Sequence, residues 1–155
     1  MSQKSLELCK ISDSVLKGPV GNPAVRTSSG TEGGSLGGIM RRGLDLYANV
    51  RPITLWPGIE SPIKAKPGDI DYVIVRENTE GLYASRNLGV GNDWAMTDTL
   101  LMTRPGVERI VRFAFDTSRK RNGAPIDGIK RVTCVDKSNV LRTSAFFRGI
   151  FDEIA

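Results

Sequence analysis

The sequence predicts an α/β fold, in which helices alternate with short strands. Apolar residues recur at helical spacing between Pro105 and Arg121, and a proline in the first turn with Gly123 beyond the end fits the limits of a helix. Other apolar segments, such as the compact run Ile70–Val75, have the composition of strands. Because both patterns alternate along 155 residues, we expect an α/β arrangement of one ordinary domain or parts of two.

The N-terminal third combines helical periodicity with a glycine-rich segment. Leu6 and Cys9 share one face of a first predicted helix, and Met40, Leu44 and Tyr47 share one face of a second. The predicted elements of this part are a helix at Ser5–Asp13, a strand at Val15–Gly21, a flexible Gly/Ser loop at Thr27–Gly38 and a helix at Ile39–Ala48.

The middle third is rich in strand-forming residues and in proline. Three prolines and two glycines between Pro57 and Asp69 make that segment the best candidate for a crossover between domains. Gly89 and Gly91 interrupt a Thr-rich and aromatic stretch, which favours an irregular excursion or hairpin. The predicted elements are a strand at Val50–Trp56, the crossover at Pro57–Asp69, a strand that begins at Ile70 and closes at Arg76, and the excursion at Leu82–Thr103.

The C-terminal third predicts a helix, a strand and a second helix. Val107, Ile110 and Val111 belong to the apolar stripe of the first helix. Ser138 or Asn139 is a natural cap for the second helix. The predicted elements are a helix at Pro105–Arg121, a strand at Arg131–Val135 and a helix at Asn139–Ile154.

Composition narrows the possible chemistry. The net charge of +5 is scattered along the chain, apart from the short cluster at Arg119–Arg121, so small anionic ligands explain it as well as nucleic acid or a membrane surface does. The sequence contains no histidine, which excludes Ser-His-Asp and Cys-His catalysis and histidine metal ligation. Cys9 and Cys134 lack the spacing of a zinc site. Without an 18-residue apolar span or the apolar core of a signal peptide, a soluble cytoplasmic protein is expected.

Four cationic residues lie beside the ends of predicted elements: Arg41, Arg51, Arg76 and Lys137. Taken singly, an arginine at a strand end is most often a solvated residue or a member of a structural ion pair. Several arginines together, however, can hold carboxylates through planar two-point hydrogen bonds. A substrate with more than one carboxylate fits this set.

Tyr83 and Ser35, together with Lys137, are candidates for proton transfer or anion binding. Tyr83 follows Arg76 closely, and a nearby cation would lower the pKa of its phenol, although a lone tyrosine usually serves packing. Lys137 lies between a strand and a helix, where it either shuttles protons or is a solvated loop residue. The glycine loop lacks a nucleotide-binding motif, but it brings Ser35 near the start of the next helix, where an anion is stabilised.

Three ordered blocks resemble the isocitrate and isopropylmalate dehydrogenase family of metal-dependent decarboxylating dehydrogenases, which includes tartrate and homoisocitrate enzymes. The blocks are MRRGLDLYANVRP at Met40–Pro52, DYVIVRENTEGLY at Asp71–Tyr83 and VTCVDKSNVLR at Val132–Arg142. The resemblance covers nearly the whole chain and implies a partial fold of this family. It implies part of a larger first domain in residues 1–56, a crossover at 57–69, and part of a second, substrate and dimer domain at 70–155, with an arm at about 82–103.

The resemblance also implies roles for individual residues. Arg41, Arg51 and Arg76 match the arginines that bind malate-type carboxylates. Tyr83 matches the tyrosine that protonates the enol left by decarboxylation.

Three more positions match functional positions of the family. Lys137 matches a lysine, contributed across the dimer interface, that assists removal of the proton from the substrate hydroxyl. Asn139 matches a position beside the substrate and the nicotinamide, and Ser35 falls in the loop that reads the variable side of the substrate.

The implied activity is oxidation of a 2-hydroxy acid with NAD or NADP, followed by loss of the β-carboxylate, with Mg²⁺ or Mn²⁺ polarising the carbonyl. The resemblance places the metal-binding aspartates and the main nucleotide loop outside these 155 residues. We therefore expect a central fragment that is inactive alone. The alternative is a non-catalytic chain that assembles with a full-length homologue. Nucleic-acid binding through Arg119–Arg121 has little support, since cations at the end of a helix suit its dipole.

Overall fold

The computed structural model describes residues 1–19, 21–22, 24–31 and 36–155. Within these ranges the chain forms four helices and two small antiparallel sheets of two strands each. The elements are α1 (Gln3–Ile11), α2 (Leu36–Gly43), β1 (Ala48–Thr54), β2 (Asp71–Glu77), β3 (Val90–Gly91), β4 (Met96–Thr97), α3 (Arg104–Lys120) and α4 (Arg142–Ile154).

The larger sheet pairs β1 with β2 in antiparallel orientation. Asn49 lies opposite Arg76, and Arg51 lies opposite Ile74. Because side chains of directly opposed residues point to the same face of an antiparallel pair, these four side chains share one face. The other face carries Val75, which packs against the helical core. The ladder therefore separates an arginine-bearing face from the core.

The core lies between α3 and α4. Val107, Ile110 and Val111 of α3 and Ile150 of α4 are each at most 3% exposed. Their spacing on α3 is that of a single helical stripe, so the predicted helix is confirmed with its apolar face inward. Burial of these four side chains from water stabilises the packing of α3 on β2 and α4.

Helix α3 begins at a side-chain cap. The Thr103 hydroxyl accepts a hydrogen bond from the backbone N–H of Gly106 at 3.1 Å. Glu80 accepts from the Thr103 backbone N–H at 2.9 Å and from the Thr103 hydroxyl at 2.5 Å. The carboxylate of Glu80 thus ties the turn after β2 to the first turn of α3.

The predicted excursion is confirmed. Between Leu82 and Thr103 the chain leaves the sheet, forms the short hairpin β3–β4 and returns. Its apolar side chains are unusually exposed: Leu88 is 70% exposed and Trp94 is 96% exposed.

Two predicted strands are wrong. Within Val15–Gly21, the described residues have no regular structure, and Val20 lies outside the described residues. Residues Arg131–Val135 also form no strand, although their composition favours one. A strand requires a neighbouring edge with which to exchange hydrogen bonds, and none of the described residues supplies that edge here.

The remaining helices and strands are present with shifted ends. The helix predicted at Ile39–Ala48 spans Leu36–Gly43, so the placing of Leu44 and Tyr47 on its face is wrong, and Ala48 opens β1. The helix predicted from Asn139 begins three residues later, because residues 138–140 form a turn before it. The Gly/Ser loop is shorter than predicted, since Leu36–Gly38 already belong to α2, and residues 32–35 lie outside the described ranges. The division at 57–69 into two domains stays a prediction. In the described part of the chain, no helix is long and apolar enough to cross a membrane.

Candidate active site

Tyr83 and Arg76 form the centre of the candidate site. After β2 ends, the chain turns back at Gly81, which has φ of 70° and pairs with Leu101. This reversal returns Tyr83 to the strand that it has just left, where Arg76 Nη2 donates a hydrogen bond to the phenol oxygen at 2.7 Å. The Arg76 guanidinium carbon is 5.1 Å from the centroid of the ring. Arg76 and Tyr83 are therefore in contact, and their roles in binding and proton transfer stay predictions.

A second arginine reaches the same tyrosine from a different element. Arg41, in the last turn of α2, places its guanidinium carbon 5.5 Å from the Tyr83 centroid. Its Nε donates to the carbonyl oxygen of Gly37 at 3.2 Å, which fixes the side chain along the helix. Two cations from α2 and β2 therefore face one phenol ring.

This arrangement lowers the pKa of the Tyr83 phenol. The largest cause is the hydrogen bond from Arg76, and the positive charge of Arg76 comes next. Partial burial opposes these effects, and the charge of Arg41 adds to them. A phenol whose anion is stabilised in this way releases its proton more readily than a free tyrosine does. The side chain is 39% exposed, so a ligand can reach it.

Arg51 lies on the same face of the sheet but does not touch Tyr83. Its Nε donates to Asn49 Oδ1 at 3.0 Å, and Asn49 is directly opposite Arg76. The structure thus brings Arg41, Arg76 and Tyr83 into contact and places Arg51 beside them on the arginine-bearing face. Three guanidinium groups on one open face suit an anion with several carboxylates.

The turn that carries Tyr83 is held by residues that the sequence did not indicate. The Glu77 carboxylate accepts from the Thr79 backbone N–H at 2.9 Å and from the Glu80 backbone N–H at 2.7 Å. Arg109 of α3 donates to the Thr79 hydroxyl at 2.8 Å and to Asp45 at 2.8 Å. A glutamate two residues before a threonine, as at Glu77 and Thr79, is a local sequence pattern from which this hydrogen-bonded turn could have been predicted. The contacts of Arg109 span 30 and 64 positions, so no local pattern predicts them.

Comparison with known proteins identifies the family of this chain. The family described as isocitrate/isopropylmalate dehydrogenase matches residues 1–155. The 3-isopropylmalate dehydrogenases of Priestia megaterium and Bacillus cereus are 39% and 40% identical, and each alignment covers 100% of this chain. The chain belongs to the isocitrate/isopropylmalate dehydrogenase family. It spans 42% of the length of these two curated relatives.

Solved structures of this oxidoreductase family match the fold. Isocitrate dehydrogenase from Methylococcus capsulatus matches with a TM-score of 0.78 and 34% identity, over 99% of this chain and 42% of that one. The apo form of a beta-decarboxylating dehydrogenase from Thermococcus kodakarensis matches with a TM-score of 0.61 and 31% identity, over 100% of this chain and 40% of that one. The fold is therefore a partial isocitrate/isopropylmalate dehydrogenase fold.

Other predicted site residues of the family lie apart from the cluster. Lys137 and Asn139 are exposed in the segment before α4, and no contact among the described residues joins them to Arg41, Arg76 or Tyr83. Ser35 lies outside the described residues.

The segment around Lys137 is fixed by Asp136. Its carboxylate accepts from the backbone N–H of Ser138 at 2.8 Å and from Arg148 Nε at 2.7 Å. These bonds, with those to Ser138 first, hold the pKa of Asp136 well below the usual range. The Cys134 thiol donates to the same carboxylate at 3.3 Å, and burial raises its pKa to about 11. Cys134 is half-buried and is a poor nucleophile at neutral pH.

The described residues do not fit a divalent metal. Among them, no group of three or more Asp, Glu or Cys side chains is placed to hold an ion. The cationic face formed by Arg41, Arg51 and Arg76 repels a cation rather than attracting one.

Proposed function

We propose that this chain provides the carboxylate-binding face and the proton donor for NAD(P)-dependent oxidative decarboxylation of a malate-type 2-hydroxy acid, of the isopropylmalate, isocitrate and tartrate class. The observation that carries the proposal is the contact of Arg41 and Arg76 with one tyrosine on an open face of the sheet. Membership of the family supplies the reaction class.

The arginines bind and orient the acid. A guanidinium presents paired N–H groups that match the two oxygens of a carboxylate. Arg76 and Arg51 project from the paired strands β2 and β1, whose register fixes their separation, whereas Arg41 comes from α2. Side chains held on a rigid ladder restrict the bound acid to one orientation, which lowers the entropic part of the barrier.

Tyr83 is the proton donor in this proposal. When bound, NAD or NADP accepts the hydride from the hydroxyl-bearing carbon. Loss of carbon dioxide from the resulting keto acid leaves an enol, and the Tyr83 phenol donates its proton to the carbon that carried the carboxylate. The hydrogen bond and charge of Arg76 stabilise the phenolate that forms.

Lys137 and Asn139 act in this proposal at the site of a second subunit. Both side chains are exposed, and no contact among the described residues joins them to Arg41, Arg76 or Tyr83, which supports their use by a neighbour. Lys137 would take up the proton of the substrate hydroxyl, and Asn139 would contact substrate and nicotinamide. Ser35 keeps its proposed place in the loop that reads the substrate's variable side. The active assembly is thus a homodimer or a complex with a homologue.

The chain alone is proposed to bind the acid without converting it, because Mg²⁺ or Mn²⁺ and the nucleotide are assigned to residues outside the matched region. Calorimetric titration of the purified chain with isopropylmalate, isocitrate, tartrate and malate tests the binding. We expect saturable binding of at least one acid, weakened about tenfold or more by Arg76→Met, which is about 1.4 kcal/mol. Arg112→Met, on the exposed side of α3, is the matched control.

Three outcomes count against the proposal. Failure of all four acids to bind removes the substrate-binding role. Equal affinity of the wild type and Arg76→Met assigns any binding to another surface. Metal-dependent formation of NADH or NADPH by the chain alone contradicts its inactivity.

A second candidate function is assembly with a full-length homologue without catalysis. The observation that favours it is an exposed apolar surface on the hairpin β3–β4, where Val90 is 75% exposed, Trp94 96% and Met96 66%. A surface of this kind has the apolar character of an interface. Sedimentation of the chain mixed with a full-length relative tests it, with Trp94→Ser as the disrupting variant. A chain that sediments alone at every mixing ratio rejects this candidate.

A further inference from the structure

The three arginines of the candidate site belong to two separate parts of the chain. Arg51 and Arg76 project from the paired strands β1 and β2, so the register of the ladder fixes their separation. Arg41 lies in α2, which is not part of that sheet. One ligand can be held by all three guanidinium groups only if the end of α2 keeps a defined position beside the sheet. A single buried side chain, that of Asn78, connects these two parts.

Asn78 is a buried polar residue directly after β2. Its side chain is 8% exposed, although asparagine usually lies at the surface. Its Nδ2 donates to the carbonyl oxygen of Leu46 at 3.3 Å, and its Oδ1 accepts from Asn49 Nδ2 at 3.5 Å. Burial of an amide costs free energy unless its polar atoms find partners. Each end of the Asn78 amide therefore has a partner, and the two partners lie on different segments.

The contact with Leu46 reaches the helix that carries Arg41. The backbone N–H of Leu46 donates to the carbonyl oxygen of Arg41 at 2.9 Å, while the Leu46 carbonyl accepts from Asn78. Between them the chain leaves α2 through Asp45, which has φ of 46°. Two hydrogen bonds in series thus hold the last turn of α2 to the residue that follows β2.

The contact with Asn49 reaches Arg51. The Asn49 amide donates to Asn78 through Nδ2 and accepts from Arg51 Nε at 3.0 Å through Oδ1. Asn49 is directly opposite Arg76 in the ladder, so its amide lies on the arginine-bearing face. Because Arg51 Nε bonds to a side chain that is itself held by Asn78, the orientation of the guanidinium depends on Asn78.

Arg109 joins the same two segments without reaching the arginines. It donates to Asp45 and to the Thr79 hydroxyl, each at 2.8 Å. In the described ranges, neither of these two partners hydrogen bonds to Asn49 or to Arg51. Arg109 therefore stabilises the approach of the segments, whereas the contacts of Asn78 continue to the side chain of Arg51.

We propose that Asn78 is a positioning residue that sets the placement of Arg41 and Arg51 around Arg76, and that it thereby tunes the site for an acid with several carboxylates. This inference rests on the proposed acid-binding function. The connection runs from the Arg41 carbonyl through Leu46, Asn78 and Asn49 to Arg51 Nε. Asparagine suits the position because a neutral amide offers a donor and an acceptor side by side.

Asn78→Leu tests the proposal with calorimetry. Leucine has the same branched shape and the same number of side-chain heavy atoms, but it has no hydrogen-bonding group, so the Leu46 carbonyl and the Asn49 amide lose their partner. The probes are isopropylmalate, isocitrate, tartrate and malate. We expect the affinity for the acid that binds the wild type to fall about tenfold. Asn122→Leu, at an exposed asparagine beyond α3, is the matched control and should bind as the wild type does.

A double-mutant cycle with Arg51→Met separates positioning from a general weakening of the fold. If Asn78 acts through Arg51, Asn78→Leu has less to disturb once that guanidinium is absent. We expect it to weaken binding by no more than about threefold in the Arg51→Met background, against about tenfold in the wild type. A defect of folding alone lowers the affinity by the same factor in both backgrounds.

NMR of the arginine Nε–H groups gives a readout that needs no ligand. In the chain without acid, Asn78→Leu should speed the exchange of the Arg51 Nε–H with water, because the Asn49 acceptor is no longer held. Asn78→Asp keeps an acceptor for Asn49 and loses only the donor to Leu46, so its Arg51 signal should exchange as in the wild type. If Asn78→Leu does not fold, Asn78→Ser replaces it, since serine is too short to reach both partners.

The outcomes distinguish this proposal from the one on which it rests. Failure of the wild type to bind any of the four acids overturns the proposed function and the tuning for carboxylates with it. Unchanged acid affinity in Asn78→Leu overturns the role of Asn78 and leaves the proposed function standing. Equal losses in both backgrounds of the cycle, or an Arg51 Nε–H that exchanges equally in Asn78→Leu and the wild type, also overturn that role.

Discussion

Arg76 donates a hydrogen bond of 2.7 Å to the Tyr83 phenol oxygen across seven positions of sequence. The same guanidinium lies 5.1 Å from the ring centroid, so it acts on the phenol both as a donor and as a charge. The two side chains form one unit in which the acidity of the tyrosine is set by the arginine.

Replacement of Arg76 by methionine should raise the pKa of the Tyr83 phenol. The variant removes the hydrogen bond and the positive charge that are the two largest causes of its lowered pKa, and only the weaker influence of Arg41 remains. Titration of ¹³C-labelled tyrosine by NMR resolves Tyr83 from the other two tyrosines. Arg51→Met is the control, because Arg51 contacts Asn49 and not Tyr83. Identical Tyr83 titration curves for Arg76→Met and the wild type would contradict the assignment.

Arg109→Met should destabilise the fold although the residue lies outside the candidate site. Arg109 hydrogen bonds to Thr79 and Asp45 and stacks 4.6 Å from the Tyr47 ring centroid, so the variant frees the turn that carries Tyr83. Loss of these contacts should lower the free energy of unfolding by about 1–3 kcal/mol.

Urea unfolding of Arg109→Met checks this value. The matched control is Arg112→Met on the same helix, where the exposed side chain should change stability by no more than about 0.5 kcal/mol. An equal loss of unfolding free energy in the two variants would mean that the hydrogen bonds from Arg109 to Thr79 and Asp45 do not stabilise the fold.

The stability contributed by Asp136 should depend on pH in a defined direction. Hydrogen bonds from Ser138 and Arg148 hold the folded-state pKa below that of an unfolded aspartate, which is about 3.9. The contribution is therefore fully present above the unfolded pKa and is lost as pH falls towards the folded value. Asp136→Asn should lower the melting temperature at neutral pH, and the difference from the wild type should shrink as pH falls below about 4.

Thermal unfolding at a series of pH values measures this difference. Asp93→Asn, in the exposed arm, is the control and should follow the wild type at every pH. A difference between Asp136→Asn and the wild type that stays constant down to pH of about 2 would show that the carboxylate charge does not stabilise the fold.

The sequence predicted the candidate site best where the functional residues lie within one short motif. Arg76 and Tyr83 lie on one short block, so their motif predicted both the residues and their proximity. The contact of Arg41 with the same ring depends on how α2 packs, and periodicity carries no information about that packing. Lys137 was predicted as a site residue, yet the described contacts keep it apart from the cluster.

The errors have a common physical cause, which is that strands and caps depend on distant partners. Arg131–Val135 has strand composition, but pairing requires an edge that the described residues do not provide. The start of α4 was predicted from Ser138 and Asn139 as caps. Instead, Asp136 takes the Ser138 N–H, and the helix begins after Leu141 without a side-chain cap.

Two helical glycines should respond to alanine in opposite directions. A Cβ on Gly106 would lie 2.4 Å from the Glu80 carboxyl group, whereas a Cβ on Gly149 of α4 would have no neighbour within 4 Å. Gly149→Ala should therefore stabilise the fold by roughly 0.5–1 kcal/mol, the usual gain from replacing glycine inside a helix.

Gly106→Ala gains the same helical preference but displaces the Glu80 carboxylate from Thr103. The two hydrogen bonds that tie Glu80 to the cap of α3 are then lost. The net result should be a loss of about 1 kcal/mol or more in the free energy of unfolding. Urea unfolding of both variants, with Glu80→Gln as a third, decides the cause. If Gly106→Ala stabilises the fold as Gly149→Ala does, the Glu80 carboxylate moves aside without cost, and its tie to the first turn of α3 does not hold the chain together.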